Sequence, residues 1–153
     1  MFGHDATRSG APKIFFDLCM YFMHYFEIQV VMLKKGNMKE MFSQYFDVIY
    51  LDDNSDKNKF ELATELIKKY RPDLVFANTI ATYECAYAAK VNNIPVIMSV
   101  YELQDDFDYV FAGNVPKNIN EVADYYVVNS ELVRTYLLTK IDCADKKIII
   151  FLV

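Results

Sequence analysis

The sequence predicts an α/β fold, a Rossmann-like, mostly parallel sheet with helices on both faces. Three observations predict it. Short apolar strand-like runs alternate with helical patterns from end to end. No linker, internal repeat or low-complexity segment divides the chain, so residues 1–153 read as a single domain. The chain is also long and apolar enough, at 54% hydrophobic residues, to build a real core and to exclude disorder.

The elements follow in order. Met1-Phe2-Gly3 gives barely a strand before the polar stretch His4-Asp5-Ala6-Thr7-Arg8-Ser9-Gly10-Ala11-Pro12-Lys13, so the first strand looks truncated. Pro12 to Phe26 has helical spacing and is apolar on nearly all sides, which predicts burial on nearly all sides. Ile28–Leu33 reads as a strand, Met38–Phe46 as a short helix, and Asp47–Leu51 as a strand. The polar turn 52–56 lacks the glycine and distant glutamate of a calcium loop. Lys59–Tyr70 is an amphipathic helix ended by Arg71-Pro72. Leu74–Ala77 is a strand, Ala81–Val91 a helix of small residues and tyrosine, and Ile94–Val100 a strand. Asp105-Asp106-Phe107-Asp108 reads as a solvated acidic turn, with irregular helix over 109–120. The strand Tyr125–Asn129 precedes a helix capped by Ser130 and running to Lys140, and Lys147–Val153 is a last strand.

Composition narrows function. A net charge of −5 argues against a general nucleic-acid binder. No apolar run reaches the ~18 residues of a membrane span. Cys19, Cys85 and Cys143 lie far apart without metal spacing; Cys19 and Cys85 sit in apolar helical patterns and read as buried thiols, and the usage fits a reducing cytoplasm. Neither a metal nor a cofactor is expected. His24 reads as a core or rim histidine. The aromatic content, 12 Tyr and 12 Phe, is more than one small domain easily hides.

In parallel α/β sheets ligands bind beyond the carboxyl ends of the strands. The candidates are therefore Asn78-Thr79, Tyr101-Glu102 and Asn129-Ser130-Glu131, together with the opening loop. That loop has Gly10 for backbone freedom and Pro12 suited to a first helical turn. It leaves N–H groups at a helix N-terminus, where an anion is favoured.

HDATRSGAP at 4–12 resembles the opening loop of family 4 glycosyltransferases with the GT-B fold. ANT at 77–79, IPVIMSVYEL at 94–103, ADYYVVNSELVRTYL at 123–137 and KKIIIFLV at 146–153 resemble later segments of the same family, in the same order. Tyr101 stands where that branch usually has histidine. The resemblance implies the N-terminal, acceptor-side domain of a two-domain enzyme whose C-terminal donor half is absent, so this chain alone is expected to be inactive. It implies retaining transfer of a sugar from a nucleotide-sugar donor to a glycan, lipid-linked or other acceptor. Arg8, Ser9, Gly10 and Ala11 would then meet the donor phosphate or the acceptor. His4, Asp5, Asn78, Thr79, Tyr101, Glu102 and Ser130 would bind acceptor, with Glu102 the candidate to orient a hydroxyl. A cytoplasmic setting is implied, at the inner face of the membrane through peripheral contact.

The other reading of the same alternation is a stand-alone flavodoxin-like receiver or binding domain. No acidic pair follows a first strand, as a receiver needs. The truncated strand carries one more expectation. A central strand left vacant exposes unpaired backbone, which predicts self-association or movement of Lys147–Val153 into the slot.

Overall fold

The computed structural model describes residues 1–7, 9–52, 56–112, 115–142 and 147–151. Seven strands form one sheet: β1 (Phe2–Asp5), β2 (Val30–Lys34), β3 (Val48–Tyr50), β4 (Val75–Asn78), β5 (Val96–Val100), β6 (Tyr125–Val128) and β7 (Ile148–Ile150). Their spatial order is β3-β2-β1-β4-β5-β6-β7, and every pair is parallel. That is the doubly wound order, extended by one strand. It differs from the 2-1-3-4-5 order of a flavodoxin-like receiver, which removes that topology. The helices between the strands are α1 (Gly10–Phe22), α2 (Lys39–Ser43), α3 (Lys59–Tyr70), α4 (Tyr83–Val91), α5 (Gln104–Phe111) and α6 (Glu131–Lys140). Two 3₁₀ turns, Ile80–Thr82 and Lys117–Glu121, complete the described elements.

Two cores flank the sheet, and the strand period of two divides residues between them. Val30 and Met32 of β2 join Phe15, Phe16 and Cys19 of α1 and Phe42 of α2. Val31 and Leu33 join the larger core built on α3, α4, α5 and α6. The helix boundaries have local causes. Asn58 caps α3 in a reciprocal capping box with Glu61, and Arg71 ends it in the left-handed conformation. Ser130 caps α6, its Oγ accepting from the Val133 N–H at 3.3 Å.

The first strand is not truncated. Phe2–Asp5 pairs with β2 at Phe2↔Val31, Gly3↔Met32 and Asp5↔Lys34, and with β4 at Phe2↔Ala77. The chain achieves this by drawing His4 and Asp5 out of the loop and into the strand, because backbone groups at the sheet centre must be paired. Ala6 N–H then continues the ladder to the Lys34 carbonyl at 3.2 Å. The slot is filled, β7 stays beside β6, and the vacancy that would drive self-association does not exist.

Other expectations shift. The first helix ends at Phe22, and Tyr21, Met23, Tyr25 and Phe26 are exposed, so it is not buried all round. The aromatics there meet one another instead, Tyr21 edge-on to Phe22 and tilted against Tyr25, and Phe22 edge-on to Phe26. His24 is exposed in the turn beyond α1 rather than in a core or at its rim. The acidic stretch 105–108 is the first half of α5. Asp105 and Asp106 suit the positive N-terminal end of the helix, while Phe107 and Phe111, four residues apart, are buried. Cys19 and Cys85 are buried free thiols, as expected, and burial pushes both up to about 12. Cys143 and Gly113 lie outside the described residues. No described helix is long and apolar enough to cross a membrane.

Gly3 marks the tightest passage of β1. A Cβ there would lie 2.5 Å from Met32 Sδ and 2.6 Å from Phe15 Cε1. Gly3→Ala is therefore expected to lower unfolding free energy by about 1–3 kcal/mol through overpacking, read by denaturant titration.

Candidate functional site

The strand order reverses between β1 and β4, so the crevice at the switch point lies beyond their carboxyl ends. Three sequence candidates converge there: the loop leaving β1, Asn78-Thr79 leaving β4, and Tyr101-Glu102 leaving the neighbouring β5. Ser130 follows β6 on the same edge, two strands from β4.

Asn78 is the hub. It is buried, and its Oδ1 accepts from Ser99 Oγ at 2.8 Å and from the Tyr101 hydroxyl at 3.2 Å. Its Nδ2 points to the Ala11 carbonyl at 3.5 Å, reaching the first turn of α1. Glu102 is a staple. Its Oε1 accepts from the Ile80 N–H at 3.0 Å and its Oε2 from the Tyr101 N–H at 2.8 Å. Burial pushes the Glu102 carboxyl up, against these hydrogen bonds. Both oxygens are thus engaged with backbone, which suits a positioning residue. Burial likewise raises the Tyr101 phenol. Thr79 is held at φ 74°, an uncommon conformation for a β-branched residue, and its buried Oγ1 has no hydrogen-bond partner.

The β1 side supplies the exposed chemistry. His4 is partly exposed at the strand end, its Nδ1 3.7 Å from Asp5 Oδ2. Burial lowers its pKa, Asp5 opposes, and Lys34 and Lys59 add to the lowering, which favours the neutral ring. Asp5 spends Oδ1 on turn chemistry, accepting from Thr7 N–H at 3.1 Å and Thr7 Oγ1 at 2.6 Å. Ser9 occupies the N-cap of α1 yet makes no capping hydrogen bond, and no acidic residue lies in the first turn. Pro12 has no N–H, so Gly10 and Ala11 carry the forward-facing donors. A Cβ on Gly10 would meet nothing within 4 Å among the described residues. Arg8 lies outside the described residues.

Ser130 is spent on capping α6, and its own hydroxyl reaches Asn129 Oδ1 at 3.4 Å. Asp124 serves the opposite edge. It accepts from Lys90 at 2.6 Å and from the Val96 N–H at 2.8 Å. Burial would raise its carboxyl, but those partners hold it below its ordinary value. Sequence reasoning missed Gly36. A Cβ there would stand 2.3 Å from the Ala6 carbonyl oxygen and 2.6 Å from the Thr7 nitrogen, so the turn after β2 presses on the opening loop. The glycine in Lys-Lys-Gly-Asn was the available signal, but it reads equally as a strand end. Among the described residues no three His, Cys, Asp or Glu side chains form a metal site.

No family model matches this chain, and no curated protein is similar to it in sequence. Solved structures are similar in fold. The S. aureus MnaA–UDP complex superposes with a TM-score of 0.65 at 17% identity over 97% of this chain and 43% of that one. UDP-GlcNAc 2-epimerase from Neisseria meningitidis, bound to UDP-GlcNAc, gives 0.58 at 16%, over 98% and 45%. MurG from Acinetobacter baumannii gives 0.57 at 13%, over 99% and 44%. These are GT-B enzymes, and this chain spans less than half the length of each. It has the fold of one GT-B half.

Glu102 makes stability pH-dependent. Its folded pKa lies above the ordinary 4.5, so the folded state binds the proton more tightly. The penalty is absent below 4.5 and grows as pH rises from there through the raised value. Glu102→Gln should flatten that decline in denaturant titrations across pH. It should also cost about 1–3 kcal/mol, because its amide nitrogen would face a backbone N–H that now has an acceptor.

Proposed function

We propose that this chain is the N-terminal, acceptor-side half of a retaining sugar transferase of the family 4 type. It would work on the cytoplasmic side, at the membrane's inner face, with a nucleotide-sugar half completing the cleft. The observation that carries the reading is the N-terminus of α1 at the sheet's switch point, with no capping hydrogen bond from Ser9, no acidic residue in the first turn and open space over Gly10. Backbone N–H groups at a helix N-terminus favour phosphate. In retaining transfer the leaving phosphate takes the acceptor proton, so the half described here need supply no base. Its contribution is position and electrostatics. Gly10 and Ala11 meet the donor phosphate, and Arg8 and Ser9 extend that contact. Neutral His4 accepts a hydrogen bond from an acceptor hydroxyl, with Asp5 behind it. Asn78, Thr79, Tyr101 and Glu102 shape the acceptor wall, and Ser130 borders it.

A second reading is half of a nucleotide-sugar 2-epimerase, favoured by the UDP-GlcNAc 2-epimerases among the similar structures. When this domain is joined to a nucleotide-sugar half, release of nucleoside diphosphate that requires an acceptor supports transfer. Inversion at the sugar's second carbon without an acceptor supports the epimerase.

The chain alone should show no transfer. NMR titration with UDP should move the Gly10 and Ala11 amides weakly and leave those around Ser130 unmoved. Gly10→Asp places a carboxylate in open space at the helix N-terminus. It should stabilise the fold by about 0.3–1 kcal/mol and abolish the UDP response. UDP shifts that survive in Gly10→Asp would overturn the phosphate assignment.

A further inference from the structure

A shallow groove of about 240 Å³ lies where the start of α3, the first turns of α4 and the second 3₁₀ turn meet. Phe60, Tyr83, Glu84, Tyr87 and Asn118 line it. Tyr83 and Tyr87 are four residues apart on α4 and share a face, and Glu84 stands three residues before Tyr87. The Phe60 ring packs against Tyr87 with centroids 5.7 Å apart. The groove therefore joins three aromatic rings to one carboxylate.

We infer that this groove binds an organic ammonium group. Among the described residues that line the groove, Glu84 carries the only formal charge; it is half-buried and makes no hydrogen bond or ion pair with any described residue. A neutral occupant would desolvate that carboxylate without a counter-charge. An anion would be repelled. A hard metal ion needs more oxygen ligands than one carboxylate and an amide. An ammonium head satisfies the carboxylate and the ring faces together, and its N–H groups find further acceptors in Asn118 and the tyrosine hydroxyls. The dipole of α4 does not reverse this, since its N-terminus carries about half a positive charge against the full negative charge of Glu84. The dipole of α3 is already met by Glu61 in its capping box. The volume is below the roughly 300–1,000 Å³ of whole-ligand pockets, so the groove takes the head group of a longer molecule.

The test is an aromatic ¹H–¹³C NMR titration of the full chain with n-butylammonium chloride, with 1-butanol and methyl glucoside as neutral controls. The cation should shift Phe60, Tyr83 and Tyr87 saturably in the millimolar range, and the controls should not. Glu84→Gln and Tyr87→Leu should each weaken the response about tenfold, with the remaining spectrum unchanged as proof of folding. Shifts of equal size from butanol or methyl glucoside would overturn the assignment. So would an unaltered response in Glu84→Gln, or no saturable shift with the cation.

Discussion

The requirement that β1 be hydrogen-bonded on both sides governs this structure. The strand is only four residues long, yet it is an interior strand, third of seven in the sheet. An unpaired backbone group buried there costs as much as a lost hydrogen bond with no water to replace it. The chain meets the requirement by recruiting polar residues. His4 and Asp5 become the strand's last residues, and Ala6 carries the ladder one step further to Lys34. The ladder's end and the start of the loop are thus the same atoms, which fixes the height of the loop above the sheet.

That loop is then clamped from two sides. From β2, Gly36 lies against Ala6 and Thr7 with no room for a side chain, and the Ala6 carbonyl accepts from Met38 N–H at 2.7 Å. From β4, Asn78 reaches the Ala11 carbonyl while holding Ser99 and Tyr101 of the next strand. Glu102 completes the frame by joining the end of β5 to the 3₁₀ turn after β4. Polar side chains at this edge mostly hold one another and the backbone. Among the described residues, the His4 ring is left partly exposed and the space over Gly10 is open. A site with fixed donors on a rigid edge suits chemistry done by positioning rather than by a tuned acid or base.

The order β3-β2-β1-β4-β5-β6-β7 explains why the loop after β1 and the end of β4 face one crevice although 67 residues separate Ala11 from Asn78. Connections leave β1 and β4 in opposite lateral directions, and the gap between them is where a ligand fits. The similar solved structures share this architecture over nearly the whole chain at 13–17% identity. At that distance the common property is the backbone path.

By itself the sequence determined the alternation of elements, because apolar runs and helical periodicity are local and survive without knowledge of neighbours. Lys59–Tyr70 has the same bounds in both readings, since its Asn58 cap and its Arg71-Pro72 stop are written in adjacent residues. The sequence also named the residues at the carboxyl edge, because parallel strands carry their ends to one side. Tertiary structure decided the rest. His4 and Asp5 look like loop until two neighbouring strands demand their backbone. Glu102 reads as a carboxylate placed to orient a hydroxyl, and only the fold shows that Ile80, 22 residues away in sequence, donates its N–H to it. Gly36 looks like punctuation until the opening loop passes within van der Waals distance of it. In each case the deciding partner is distant along the chain, and local propensity carries no information about what packs against it.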